Sequence, residues 1–196
     1  MTMIQLAMVT VTVIAFARVA WVTAGLVRTW LRGGALVAAR WGWIEALNIP
    51  EPLVLAGVTY TLAVQGLPPG PSSAPATAAA IFGAALARGG LGLSLWAFLS
   101  LPSVGGGHYV LQGQAIVEQG VYGWLRHPLY VAAFLIWLAV ALAYGSVLAL
   151  VVFAVYVVPI YLLYIREEER LMIERYGDTY RDYRERVGGL FPRRRG

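Results

Sequence analysis

The chain alternates between long apolar runs and short polar ones, at a period longer than strands or the buried helices of a water-soluble domain produce. Five runs stand out: Met3–Val27, Trp41–Gly66, Thr77–Leu101, Tyr130–Ala143 and Val147–Ile165. A helix needs about 20 apolar residues to cross about 30 Å of hydrocarbon, so the pattern predicts about five transmembrane helices. Only Tyr144-Gly145-Ser146 separates the last two, which leaves room for an antiparallel helical hairpin. The first hairpin arm is short and predicts a tilted or partly submerged helix. Pro50 falls inside the second run and predicts a kink or a break there. The predicted fold is therefore all-α: a polytopic membrane helical bundle with amphipathic helices in its C-terminal tail. Residues 1–102 would hold three spans, and residues 103–196 a polar loop, the hairpin and the tail helices. Leu67–Pro75 reads as a linker, and no internal repeat is visible.

Composition sharpens this picture. The sequence is 59% hydrophobic and 13% charged, against about 45–50% and about 25% for a soluble domain. No cysteine is present, which excludes disulfides, thiolate metal sites and cysteine nucleophiles. All 15 basic residues are arginine, so lysine Schiff-base chemistry and P-loop phosphate binding lack their essential residue. Two histidines, His108 and His127, are too few for a histidine metal cluster. Residues 166–196 carry 16 of the 25 charges, with nine arginines and seven acids interleaved, unlike the acid-poor basic stripe of a nucleic-acid binder. Arg28, Arg32 and Arg40 follow the first run, Leu67–Ala76 is uncharged, and Arg126 and the arginine-rich tail follow the third and fifth. The positive-inside rule then places the N-terminus outside and the C-terminus in the cytoplasm, with a bacterial-type plasma membrane as the expected location. The first run lacks a preceding positive region and is too long for a cleaved signal peptide. Arg18 and Arg88 inside apolar spans predict snorkelling or helix pairing, with a substrate-facing role as the second reading.

Polar chemistry is concentrated in Ser103–His127 and Arg166–Pro192. The glycine cluster Gly105-Gly106-Gly107 would cradle a phosphate only between a strand and a helix, and no strand is predicted, so it reads as a flexible loop. Pro128 fits a first helical turn and pushes His127 out of the helical region, which places His127 at or beside an N-cap. Arg126, His127 and the open N–H groups there suit a carboxylate or hydroxyls; decoration of the membrane interface is the competing reading. In Arg166-Glu167-Glu168-Glu169-Arg170, helix neighbours lie three and four residues apart. Glu167 then has Arg170 and Glu169 has Arg166, while Glu168 has no basic partner on its own helix. Glu168 is either solvated or serves a cationic or hydroxyl-bearing ligand. Gly177 reads as a helix stop. A short amphipathic helix follows, in which Tyr180 and Tyr183 share a packing face.

The ordered set Gly120-Val-Tyr122-Gly-Trp-Leu-Arg126-His127-Pro128-Leu-Tyr130, a hairpin, Glu167-Glu168-Glu169, Tyr176-Gly177, Tyr180, Tyr183 and Leu190-Phe191-Pro192 resembles the isoprenylcysteine carboxyl methyltransferase family over residues 108–192. The resemblance implies an integral-membrane methyltransferase that uses S-adenosylmethionine without a Rossmann fold, in a pocket at the cytoplasmic face. It implies cofactor contacts from Gln114, Ala115, Ile116, Val117, Tyr122, His127, Pro128, Leu129, Tyr130 and Glu168. Arg126, His127 and Tyr164 would surround the reacting atoms. Two positions depart from the pattern. Gln114 stands where histidine is common. Tyr164 stands where an arginine commonly holds the substrate, and Arg166 lies about 200° around the helix from it. The implied acceptor is lipophilic or small, of the prenylcysteine carboxylate kind. Phospholipid amines and thiols are the alternatives, as is a non-enzymatic helix-bundle partner. A nicotinamide-dependent sterol reductase is disfavoured by chain length.

Overall fold

A computed structural model of the chain describes residues 1–31, 50–66, 73–101 and 116–193, without the side chains of 25–31. Among these residues every regular element is helical. The elements are α1 (Met3–Leu31), α2 (Glu51–Gln65), α3 (Ala74–Leu99), a 3-10 turn (Gly120–Gly123), α4 (Pro128–Tyr144), α5 (Val147–Tyr176) and α6 (Asp178–Arg186). Three stretches are long and apolar enough to cross a membrane: Met3–Ala24, Ala74–Leu99 and Val147–Tyr176; Pro128–Tyr144 is a shorter apolar helix. Leu53, Val64, Phe82, Leu99, Leu148 and Val155 point outward and are exposed, as a lipid-facing surface requires.

Local chemistry sets the helix ends. Ser73 caps α3 by accepting from the Ala76 N–H at 3.3 Å, with Pro75 in the first turn. Gly145 ends α4 in the left-handed region at φ 58°, and Ser146 then caps α5 by accepting from the Ala149 N–H at 3.1 Å. The predicted hairpin therefore forms at the predicted turn. Several predicted boundaries move. Helix α1 runs to Leu31 rather than Val27, and α3 spans Ala74–Leu99 rather than Thr77–Leu101. A helix begins directly after Pro50, in keeping with a break there: Pro50 is the N-cap residue of α2, where its missing N–H has no partner to lose. The preceding part of that predicted span, 41–49, lies outside the described residues. Pro159 does distort α5. Its missing N–H and bulky ring are accommodated by a π-helical stretch, Phe153–Val157, just before it.

Helices α3 and α4 approach most closely, because their facing positions are small. Ala80, Gly83, Ala84, Ala87 and Gly90 meet Ala132, Ala133, Ala139 and Ala143. A Cβ on Gly83 would lie 2.9 Å from the Ala139 carbonyl oxygen, and one on Gly90 2.9 Å from that of Ala132. Lipid offers no hydrophobic drive between helices, so this close backbone contact and its dispersion energy hold the pair. A buried polar knot ties four helices together. The Arg18 guanidinium of α1 donates to Glu51 of α2 at 3.1 Å and to the Tyr161 hydroxyl of α5 at 2.8 Å. Trp137 of α4 donates its indole N–H to the same Glu51 carboxylate at 2.6 Å. Arg18 thus pairs between helices, the first of its two predicted roles; Arg88 lies 3.4 Å from the Thr10 hydroxyl of α1.

Candidate functional site

The site lies where α4 begins and α5 leaves its apolar stretch. Pro128 starts α4 and His127 is its N-cap residue, outside the helical region at φ −123°, ψ 55°. The charged continuation Arg166–Tyr176 of α5 passes alongside. Gly177, at φ 56°, lets the chain turn into α6. Tyr180, Tyr183 and Val187 of this tail bury themselves among Ile116, Met172, Ile173 and Tyr176. The Tyr183 hydroxyl donates to the Tyr122 carbonyl at 2.8 Å. Beyond α6 the chain pairs with the turn before α4. Leu125 and Gly188 form an isolated parallel bridge, the Arg126 N–H donates to the Gly188 carbonyl at 2.8 Å, and the His127 N–H to that of Gly189 at 3.3 Å. Gly188 is needed there, since a Cβ would collide with the Phe191 carbonyl.

Two neighbouring acids of α5 face this turn. Glu168 accepts from the Tyr130 hydroxyl at 3.0 Å and lies 3.6 Å from His127 Nδ1; its side chain keeps 29% of its exposure. Glu169 is more enclosed. Its Oε1 receives Arg126 Nη2 at 2.6 Å and Arg126 Nε and His127 Nε2 at 3.0 Å each, and its Oε2 lies 3.3 Å from Arg184 Nε. Arg126 also donates to the carbonyls of Arg184 and Val187, the open end of α6. Its guanidinium is therefore a clasp between turn, helix and tail.

Electrostatics follow from these contacts. Burial of His127 alone would lower its pKa, but hydrogen bonds to Glu168 and Glu169 outweigh it and raise the value to about 9. Burial alone would raise Glu169, but hydrogen bonds from His127 and Arg126 prevail and bring it down to about 2. Burial and the nearby Glu168 push the Tyr122 phenol well above its ordinary value. At neutral pH the turn presents an imidazolium donor beside the Glu168 carboxyl group, and neither His127 nor Tyr122 is a ready proton acceptor.

The structure brings together most of the residues singled out in the sequence. Arg126, His127 and Pro128 form the turn, and Tyr130 and Glu168 meet across it. Tyr164 is buried with its ring centroid 6.1 Å from that of Tyr130, and the Tyr161 ring lies tilted at 46° to Tyr130 with its centroid 5.2 Å away. Leu129 is half-buried in the first turn of α4, and Val117 is half-buried on the segment before the 3-10 turn. Ile116 packs against the tail tyrosines. Gln114, Ala115 and His108 lie outside the described residues. One expectation fails: Glu169 does not turn to Arg166, which is exposed. A surface pair on one helix contributes only a few tenths of a kcal/mol, whereas three cations converge on Glu169 from elsewhere. Sequence reasoning also missed Arg184, Tyr161, Gly188 and Gly189. The usable signal was that Arg126 and His127 themselves required an anion. A cavity of about 430 Å³ opens at the other end of the bundle, lined by residues including Gln5, Thr12, Ala63 and Tyr144; among the described residues its lining holds no charged side chain or histidine.

The fold and site define a helical membrane protein with a charged turn covered by its C-terminal tail at one end of the bundle. A sequence profile of the phospholipid methyltransferase family matches residues 78–179, just over half of the chain, and the chain belongs to that family. It is also 29% identical over 77 residues to the protein-S-isoprenylcysteine O-methyltransferase of Schizosaccharomyces pombe, a match covering 39% of this chain. The matched part spans only 33% of the length of that relative.

Proposed function

We propose that the protein is an S-adenosylmethionine-dependent membrane methyltransferase that modifies a lipophilic acceptor, of the prenylcysteine carboxylate kind, at the cytoplasmic face. It would cross the membrane about five times, with the N-terminus outside. The observation that carries this reading is the position of Glu168. The acid without a partner on its own helix stands 3.6 Å from His127 and 3.0 Å from the Tyr130 hydroxyl, part-exposed beneath a folded-back tail.

The residues fit the donor by charge. A part-exposed carboxylate fixed by the Tyr130 hydroxyl suits a cationic ligand. Bound S-adenosylmethionine would supply a methyl group activated by positive sulfur. Glu168 would oppose the ligand's positive charge, and His127, 3.6 Å away, would help to hold that side chain in place. Tyr130 would fix its orientation, and the α6 tail would exclude water. Alignment of donor and acceptor can contribute on the order of 7–11 kcal/mol of such a displacement.

The held imidazolium favours an acceptor already ionised near pH 7, such as a carboxylate, because no base is then required. A phospholipid amine is the second reading, favoured by the family profile and by Tyr164, which leaves no arginine one turn before Glu168. The test is incubation of the purified protein with methyl-labelled donor and separated acceptors: a prenylated cysteine, phosphatidylethanolamine and a small thiol. Label in the prenylcysteine ester supports the first reading and label in the phospholipid the second. No transfer to any lipophilic acceptor would refute both.

A further inference from the structure

The chemistry assigned above uses Glu168 and leaves Glu169 without a task. Yet Glu169 is the more heavily engaged acid. Its carboxylate is held by Arg126, His127 and Arg184, which come from the turn before α4 and from α6. Its side chain is 14% exposed, against 48% for Glu167 one residue away from Glu168, whose partner Arg170 lies 3.9 Å off on the same helix.

We propose that Glu169 is a positioning residue that joins the His127 ring and the C-terminal tail into one unit, so that loss of its charge releases both together. The coupling follows from the connectivity. Arg126 binds Glu169 with one side of its guanidinium and the α6 carbonyls of Arg184 and Val187 with the other. The neighbouring backbone pairing, Arg126 to Gly188 and His127 to Gly189, attaches the tail to the same two residues. Without the carboxylate, Arg126, Arg184 and a charged His127 are left facing one another, so the tail is repelled and the His127 proton is held less tightly at the same time. The groups that face His127 are Glu168 and Glu169 of α5, Arg126 beside it and Tyr130 of α4; Tyr180 and Arg184 of α6 border the same carboxylates. Glu169 touches both the ring and the tail. This role toward the site does not depend on which acceptor is used, or on methyl transfer at all.

The experiment compares full-length wild type, Glu169→Gln and Glu167→Gln in detergent, with two readouts. One is the NMR titration midpoint of the His127 ring. The other is the rate of chymotryptic cleavage after Tyr180 and Tyr183, which are 2% and 3% exposed while the tail is docked. Expected for Glu169→Gln is a midpoint lower by about one pH unit or more, as a hydrogen-bonded counter-charge is lost, together with at least tenfold faster cleavage. Glu167→Gln should change neither. Should Glu169→Gln not fold, Arg184→Gln, on the exposed arm of the same contact, must still accelerate cleavage. The proposal is overturned if Glu169→Gln changes neither readout or only one of them, or if Arg184→Gln leaves cleavage at the wild-type rate.

Discussion

Replacing Arg18 by methionine removes one half of the ion pair buried at the centre of the bundle. Its partner Glu51 is 2% exposed and would keep neutral donors, the Trp137 indole and the Tyr161 hydroxyl, but no cation among the described residues. Breaking a buried pair by deleting one partner costs about 3–5 kcal/mol, because the remaining charge is uncompensated. For a chain of this size about 1 kcal/mol moves the melting temperature by about 2–4 °C, so the single variant should melt about 6–20 °C lower. The double variant Arg18→Met with Glu51→Gln should recover most of that loss. The glutamine oxygen still accepts from Trp137, now at 2.6 Å from Glu51, and no charge is left buried. Thermal unfolding in one detergent, followed by circular dichroism across the four-member cycle, measures the coupling. Equal melting points for wild type and Arg18→Met, or a double variant less stable than either single one, would refute the reasoning.

Other expectations can be checked more briefly. Gly90→Ala should destabilise the bundle by about 1–3 kcal/mol, since the new Cβ meets the Ala132 carbonyl at 2.9 Å. The neighbouring Gly89→Ala meets nothing within 4 Å and should be neutral or stabilising by up to about 1 kcal/mol. Gly188→Ala should undock the tail by forcing Phe191 away, read as faster chymotryptic cleavage at Tyr183. Stability should also depend on pH with a definite sign. His127 is raised to about 9, so its contribution is complete below the free imidazole value of about 6.5 and is lost as pH rises through 9. Glu169 is lowered to about 2, so its contribution is present above about 4.5 and is lost as pH falls through 2. Melting temperatures should therefore fall between pH 6 and pH 10 in wild type, and fall less in His127→Gln.

Elements with a local cause were legible in the sequence. The hairpin was, because glycine and serine at 145 and 146 supply a stop and a cap. So was the start of α4 at Pro128, and so was Glu168, because helix geometry alone leaves it without a cation. What escaped depends on long-range placement. Glu169 has a tempting neighbour in Arg166, and nothing local says that α6 brings Arg184 and two glycine carbonyls to the same spot. Arg18 and Glu51 are 33 residues apart, and their meeting is a property of the assembled bundle. Pro50 was legible as a break in the second apolar run, since α2 begins directly after it, whereas the π-helical stretch before Pro159 was not anticipated.

If the carboxylate at position 168 holds the methyl donor beside the arginine–histidine–proline turn, its loss must weaken donor binding. Equilibrium binding of S-adenosylmethionine to wild type, Glu168→Gln and Glu167→Gln, by calorimetry in detergent, tests it most directly. The account predicts at least tenfold weaker binding for Glu168→Gln and wild-type affinity for Glu167→Gln. Undiminished affinity in Glu168→Gln would contradict it.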